Sequence, residues 1–210
     1  MIKVETLVVG PLEENCYVIY DDAFKEALII DPGAESQTII ARLTALGVTP
    51  AAIVNTHGHY DHVGAVAALQ ARYKVPFYLH PDDVEWLREP LASLFGQNGA
   101  QGIDDARPLQ EGAVIEASGV TLRIIHTPGH TKGGCVFWCE AGDVAFTGDT
   151  LFKGTVGRTD FPGGSYEAIL ESVQTKLAPL SDSCIVYPGH GPKSNMAWER
   201  AHNPYMRYQA

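Results

Sequence analysis

The chain has 210 residues, 45% of them hydrophobic, enough for one domain with a large core or at most two small ones, and we read a single domain over 1–210. A formal net charge of -10 argues against nucleic acid or an anionic membrane as the main partner, since both select for clustered Lys and Arg. No apolar run approaches membrane-spanning length, and Met1-Ile2-Lys3-Val4-Glu5 enters a strand-like alternation rather than a signal peptide, so a cytoplasmic protein with a small-molecule substrate is expected. Cys16, Cys135, Cys139 and Cys184 form no C-x-x-C pair and are expected as reduced, buried thiols.

Taken in order, Lys3 to Val9 and Asn15 to Tyr20 read as two pairing strands joined by a turn at Gly10-Pro11. Ala27 to Asp31 is a third strand, ended by Asp31-Pro32-Gly33. Ile39, Ile40, Leu43 and Leu46 recur at helical spacing and predict a helix over Ser36 to Leu46, capped by Gly47. Ala51 to Val54 is a short buried strand, and Val63, Val66, Ala67 and Leu69 predict one helix after Asp61. Val75 to His80 opens another unit of the same kind, so the first half is repeated β-α-β. From about Pro81 to Pro108 the pattern is irregular, with a short helical piece around Trp86, and suits a mobile or substrate-shaping segment. Strands return at Ala113 to Ile115, Val120 to His126, Cys135 to Cys139 and Val144 to Thr147, followed by a helix from about Tyr166 to Leu177 and a strand Cys184 to Tyr187. Two mixed sheets packed face to face, with helices outside, account for this order.

The chemistry is concentrated in Thr56-His57-Gly58-His59-Tyr60-Asp61-His62, where four potential metal ligands sit on a strand-to-helix turn. Three further strand ends place a ligand-type residue beside glycine: Thr127-Pro128-Gly129-His130, Thr147-Gly148-Asp149 and Tyr187-Pro188-Gly189-His190. Any one of these alone is ordinary. A single His after a strand is usually a solvated loop residue, and Asp61 by itself suits a helix N-cap. Repetition of the same arrangement at four strand ends is what points to a shared metal site of five His and two Asp.

These motifs resemble the metallo-β-lactamase superfamily and, within it, the glyoxalase II (hydroxyacylglutathione hydrolase)-like proteins, over nearly the whole chain. Asn15-Cys16-Tyr17, Asp31-Pro32-Gly33 and Gly148-Asp149-Thr150-Leu151-Phe152 are also similar to the family's pattern. The resemblance implies an α/β fold, an αββα sandwich of two mixed sheets. It also implies a dinuclear site with His57, His59 and His130 on one metal, Asp61, His62 and His190 on the other, and Asp149 bridging. Imidazole and carboxylate ligands suit two divalent ions, zinc first, with iron or manganese as alternatives. Two such cations about 3.5–4 Å apart lower the pKa of water toward about 7 and supply hydroxide for attack on an acyl carbonyl, with Asp61 steering its proton. Asp31, at a strand end, is the expected partner orienting a ligand histidine.

Substrate contacts are expected from Tyr60 and from Arg158, which matches a basic position holding the glutathione moiety in glyoxalase II enzymes; the bland alternative for Arg158 is a surface salt bridge. Asp160 stands where those enzymes carry a tyrosine, and about twenty residues follow His190, short of their helical extension. The leading expectation is a hydrolase of a hydroxyacyl thioester of the S-lactoylglutathione kind. The alternative is a mononuclear iron persulfide dioxygenase, because Gly157-Arg158-Thr159-Asp160-Phe161 resembles a segment of those enzymes, whose iron is held by the residues matching His57, His130 and Asp149. His126 reads as a core or supporting histidine, His80 and His202 carry no pattern, and Gly191-Pro192-Lys193-Ser194 lacks the first glycine of a phosphate loop.

Overall fold

The central strands of the first half are apolar on both faces, which suits burial between two layers. In the computed structural model, which describes residues 1–88, 103 and 105–207, β1 (Ile2–Val9), β2 (Glu14–Asp21) and β3 (Glu26–Ile30) pair antiparallel in sequence. α1 (Ser36–Leu46) then carries the chain to β4 (Thr49–Val54), parallel to β3. Gly47 closes α1 at φ 67, its N–H donating to Leu43 and Thr44 carbonyls, as the sequence predicts. β5 (Phe77–Leu79) and β6 (Ala106–Pro108) add two more parallel strands, giving the order β1-β2-β3-β4-β5-β6.

The second sheet begins as a meander of β7 (Val114–Ala117), β8 (Val120–His126), β9 (Cys135–Cys139) and β10 (Val144–Gly148). β11 (Leu151–Phe152) and β12 (Thr155–Val156) form a small separate hairpin. β13 (Ile185–Pro188) returns parallel to β10, and β14 (Ser194–Asn195) lies at the edge, for the order β14-β13-β10-β9-β8-β7.

Three apolar layers hold this together. Tyr17, Ile19, Leu28, Ile30 and Val54 from one sheet pack on Leu122, Ile124, Phe137 and Phe146 from the other. The opposite face of the first sheet, with Val18, Ile29 and Ile53, is covered by Ile39 and Leu43 of α1 and by Val66 and Leu69. On the outer face of the second sheet, Val136, Ala145 and Val186 meet Val173, Leu177 and Met196. The result is helix, sheet, sheet, helix, with the parallel strands β4 and β13 ending at the same rim. Cys135 and Cys139 share strand parity and both lie in the layer between the sheets; all four thiols are free and buried.

Two helices differ from expectation. The single helix after Asp61 is divided into α2 (Tyr60–Val63) and α3 (Val66–Tyr73), because the Ala65 N–H donates to the Pro32 carbonyl at 2.9 Å instead of continuing the helical ladder. That break lets α2 seat against the Pro32-Gly33 turn. The helix starting at Tyr166 is regular only to Glu171 and widens to a π turn over Ser172–Lys176. Most of the irregular stretch between Pro81 and Pro108 lies outside the described residues; its described part is a 3-10 helix, Pro81–Arg88, together with Ile103, Asp105 and β6. Among the described residues no helix is long and apolar enough to cross a membrane.

Candidate metal centre

Because parallel strands all end at one rim, the loops that follow them meet there. β4 runs out at Val54, and Asn55 and Thr56 lead into His57, Gly58 and His59. Asp31, directly after β3, fixes this corner: Oδ1 accepts from the Thr56 N–H at 2.7 Å, while Oδ2 accepts from Thr56 Oγ1 at 2.6 Å and lies 3.1 Å from His62 Nδ1. The Asn55 amide donates to the His62 carbonyl at 2.7 Å, tying α2 to the same turn. Asp61 is therefore not the helix cap that its sequence position suggests. His59 occupies the cap, without a side-chain bond, and Asp61 is the second helical residue, its carboxylate free to face His190.

His57, His59 and His130 come together first. His59 Nδ1 lies 3.1 Å from His57 Nε2 and 3.0 Å from His130 Nε2. Three ring nitrogens at that spacing cannot all be satisfied by one another, whereas the edge of a tetrahedron around a zinc-type ion with nitrogen ligands is about 3.3 Å. A second group, Asp61, His62 and His190, likewise brings its ligand atoms within 4.8 Å of one another, with His190 Nε2 3.3 Å from Asp61 Oδ2. Asp149, after β10, stands between them. Its Oδ2 is 3.4 Å from His130 Nε2 and 3.8 Å from His190 Nε2, and its Oδ1 is 3.5 Å from His62 Nε2.

Except at His59, whose outward Nε2 is buried without a hydrogen bond, the outward ring nitrogens have partners that fix which nitrogen faces inward. His130 Nδ1 donates to the Arg158 carbonyl at 2.7 Å and His190 Nδ1 to the Leu12 carbonyl at 3.0 Å. His62 Nδ1 faces the Asp31 carboxylate. Meanwhile His62 Nε2 and Asp149 Oδ1 are buried without a hydrogen bond. Buried polar atoms left without partners, aimed at a common point among imidazoles and carboxylates, are the donor set of a metal centre, and the residues fit two divalent ions.

Electrostatics separates the groups. Burial, reinforced by the neighbouring imidazoles, pushes His57 well below its ordinary value and His59 down to about 3. Burial also opposes charge on His62 and His190, but the carboxylates of Asp61 and Asp149 outweigh it and hold both above 6.5. Asp61 and Asp149 are correspondingly lowered: burial works against them and the adjacent imidazoles prevail.

Other combinations do not converge. Asp31 lies near His57 and His62, yet its oxygens are occupied by Thr56 and the outward nitrogen of His62. His80, Asp82 and His126 also place ligand atoms within 4.8 Å, but the two rings are stacked at 4.2 Å and 7°, so their lone pairs run parallel, and His126 Nε2 already donates to the Lys132 carbonyl at 2.8 Å. His126 is thus a stacked, partly exposed residue with no ligand histidine to orient.

At the rim, Phe161 and Trp86 approach His59 edge-on, at 5.8 and 4.6 Å, and Phe152 approaches His190 at 6.3 Å. Tyr60 is half-buried beside His59. The Arg158 guanidinium forms a two-point pair with Asp160, at 2.7 and 2.6 Å, and lies over the Phe161 ring at 4.0 Å. Two buried acids beside the ligand groups escaped the sequence reading. Glu14, 3.7 Å from His62 Nδ1, has both oxygens unpartnered, and burial raises it well above the usual carboxylate range. Asp83 contacts the loops that carry His59 and His130. Neither sits beside the glycine-flanked strand ends that made the other residues visible.

The sequence pattern of the Metallo-beta-lactamase superfamily matches residues 9–190. The chain belongs to that superfamily. It is 38% identical to the hydroxyacylglutathione hydrolase GloC of Haemophilus influenzae over 98% of each chain. Among solved structures it is similar to BLEG-1 B3 metallo-beta-lactamase, at a TM-score of 0.91 and 35% identity, covering 97% of this chain and 99% of that one. It is also similar to TTHA1623 in a di-iron-bound form, at a TM-score of 0.86 and 36% identity, covering 96% and 99%. The αββα architecture derived above is the superfamily's fold.

Proposed function

We propose that this chain is a metal-dependent hydrolase that cleaves a hydroxyacyl thioester of the S-lactoylglutathione kind. The observation that carries the reading is the placement of Asp149, whose two oxygens reach ligand atoms of both groups. In this reading His57, His59 and His130 hold one divalent ion, Asp61, His62 and His190 hold the other, and Asp149 is shared. Such a pair, when bound, lowers the pKa of water toward about 7 and polarises an acyl carbonyl. The protein's own parts supply the rest. Asp61 keeps a carboxylate oxygen at the centre, where it accepts a proton from attacking water. Asp31 and the Arg158 and Leu12 carbonyls hold three imidazoles in the orientation the site needs. Phe161, Trp86 and Phe152 give the mouth an apolar edge that favours a thioester over water, with Tyr60 beside it.

The name of the Haemophilus influenzae relative supports a glutathione thioester, and the ligand set supports zinc, with the di-iron relative keeping iron in play and manganese as a third choice. One observation favours a second reading. Asp160 engages the Nε–Nη2 edge of the Arg158 guanidinium with both of its oxygens, so the charge of this arginine is already paired and that edge is not open to a glutathione carboxylate. The same Gly157-to-Phe161 segment resembles that of persulfide dioxygenases, which would use a single iron at His57, His130 and Asp149.

Metal analysis of the purified chain, paired with assays of S-lactoylglutathione hydrolysis, oxygen uptake with glutathione persulfide and hydrolysis of a cephalosporin, separates the readings. Two metals per chain with thioester hydrolysis is the expected result. One iron with oxygen uptake and no hydrolysis overturns it in favour of the dioxygenase, and cephalosporin hydrolysis without thioester hydrolysis overturns both.

A further inference from the structure

Asp83 belongs to neither ligand group and to no strand, yet it is fully buried, at 0% exposure. It is the third residue of the 3-10 segment Pro81–Arg88. Its Oδ2 accepts from the Gly58 N–H at 3.0 Å and from Thr131 Oγ1 at 2.7 Å, and its Oδ1 accepts from the Gly133 N–H at 2.7 Å. Gly58 is the residue between His57 and His59. Thr131 follows His130 directly, and Gly133 lies two residues further. One carboxylate therefore joins the loop leaving β4 in the first sheet to the loop leaving β8 in the second, the two loops that carry all three imidazoles of the first group.

The sequence around it is shaped to allow this approach. A Cβ on Gly58 would lie 2.5 Å from the Asp83 carbonyl oxygen and 2.9 Å from Trp86 Cβ, and one on Gly133 would lie 2.7 Å from Asp83 Cγ. Both loops need glycine where the 3-10 segment presses on them. Trp86, one turn on, packs its ring at 4.6 Å against His59. A carboxylate suits the task because it offers acceptor capacity on both oxygens and no donor, matching three donors that arrive from two sides. An amide offers one oxygen only and would turn an N–H toward either Gly58 or Gly133.

We propose that Asp83 is a positioning residue for the first ligand group, setting the distance between the His57-His59 loop and His130, and so the affinity of that group for its metal and not of the second group. The inference rests on the two-metal reading above, and the test keeps the two apart. Full-length chains carrying His190→Ala leave only the first group complete, and chains carrying His59→Ala leave only the second. Zinc affinity is measured in each by competition with a chromophoric chelator, with and without Asp83→Asn.

In the His190→Ala chain, Asp83→Asn lowers zinc affinity roughly 10- to 100-fold, the range for residues that orient ligands from behind. In the His59→Ala chain it leaves affinity unchanged. A general loss of packing would weaken both groups alike, and that equal loss, or no loss in the first group, overturns the proposal. If the His190→Ala parent binds no zinc, the metal reading itself has failed. Should Asp83→Asn not fold by circular dichroism, Thr131→Val, which deletes one donor and keeps the carboxylate, is read in the same two backgrounds, with a smaller loss confined to the first group expected. Glu111→Gln, at an acceptor for the His126 N–H outside the centre, serves as the control that moves neither affinity.

Discussion

The two ligand groups, three histidines in one and two histidines with an aspartate in the other, behave in opposite ways. His57, His59 and His130 are buried, at 2%, 8% and 5% exposure, and the first two are held neutral by burial. In the second group Asp61 and His190 keep 15% and 26% of their side chains exposed, and carboxylates raise His62 and His190 above the ordinary imidazole value in the metal-free chain. His57 and His59 therefore offer lone pairs to a cation as they stand. The second group holds its protons more tightly against an incoming cation, and it forms the open side of the centre. Asp149 links a site organised by packing to one organised by charge.

That comparison is broken most completely by removing the link. Asp149→Ala is expected to lower metal content and thioesterase activity together, by more than about a hundred-fold in kcat/KM, since it strips a donor from both groups; full activity with normal metal content would rule out a shared carboxylate. A change behind His62 is the next largest. Asp31→Asn removes the acceptor behind His62 Nδ1 and one of the bonds to Thr56, so affinity of the second group should fall roughly 10- to 100-fold. The fold should also lose about 1–3 kcal/mol from the buried donors left unpaired, read from chelator competition and from urea unfolding of the metal-free chain.

Smaller still is the effect of pH on the intact protein. His62 and His190 stand above 6.5 in the metal-free chain, so protons compete with the metal more strongly than at ordinary imidazoles when the second group binds, and its affinity rises with pH above 6.5. His57 and His59 lie below 6.5 and are already neutral, so above that pH they add no such rise to the first group's affinity. Stepwise zinc titrations at pH 6.5, 7.5 and 8.5 in the two single-group backgrounds check this, and a steeper slope for the first group would invert the comparison. Least in size is the rim. Asp160→Asn frees the Arg158 guanidinium, and KM for an anionic thioester should fall roughly two- to five-fold with kcat unchanged, as expected for an exposed ion pair. An unchanged KM would assign Arg158 to the loop alone.

How far the sequence carried depends on the kind of signal. Ser36 to Leu46 and Val120 to His126 are bounded correctly by periodicity because each packs one regular face on a core layer, and Cys135 to Cys139 is bounded as a short apolar run buried on both faces. β11, β12, β14 and the helix Met196–His202 are too short, or too dependent on neighbours, to show a period of their own. The seven residues of the centre were legible because each follows a strand and stands at or near a glycine. Asp31 was legible for the same reason. Asp83 and Glu14 were not, since an acid in an irregular or strand-starting segment ordinarily faces water, and only the tertiary fold encloses these two. The break between α2 and α3 was likewise hidden, because it depends on a hydrogen bond to Pro32, more than thirty residues away in sequence.

The most direct test of the account is an anomalous-diffraction map of crystals of the zinc-loaded protein. Two peaks about 3.5–4 Å apart, with an Asp149 oxygen bound to each, are expected. A single peak among His57, His59 and His130, with Asp61 and His190 left unengaged, would contradict it.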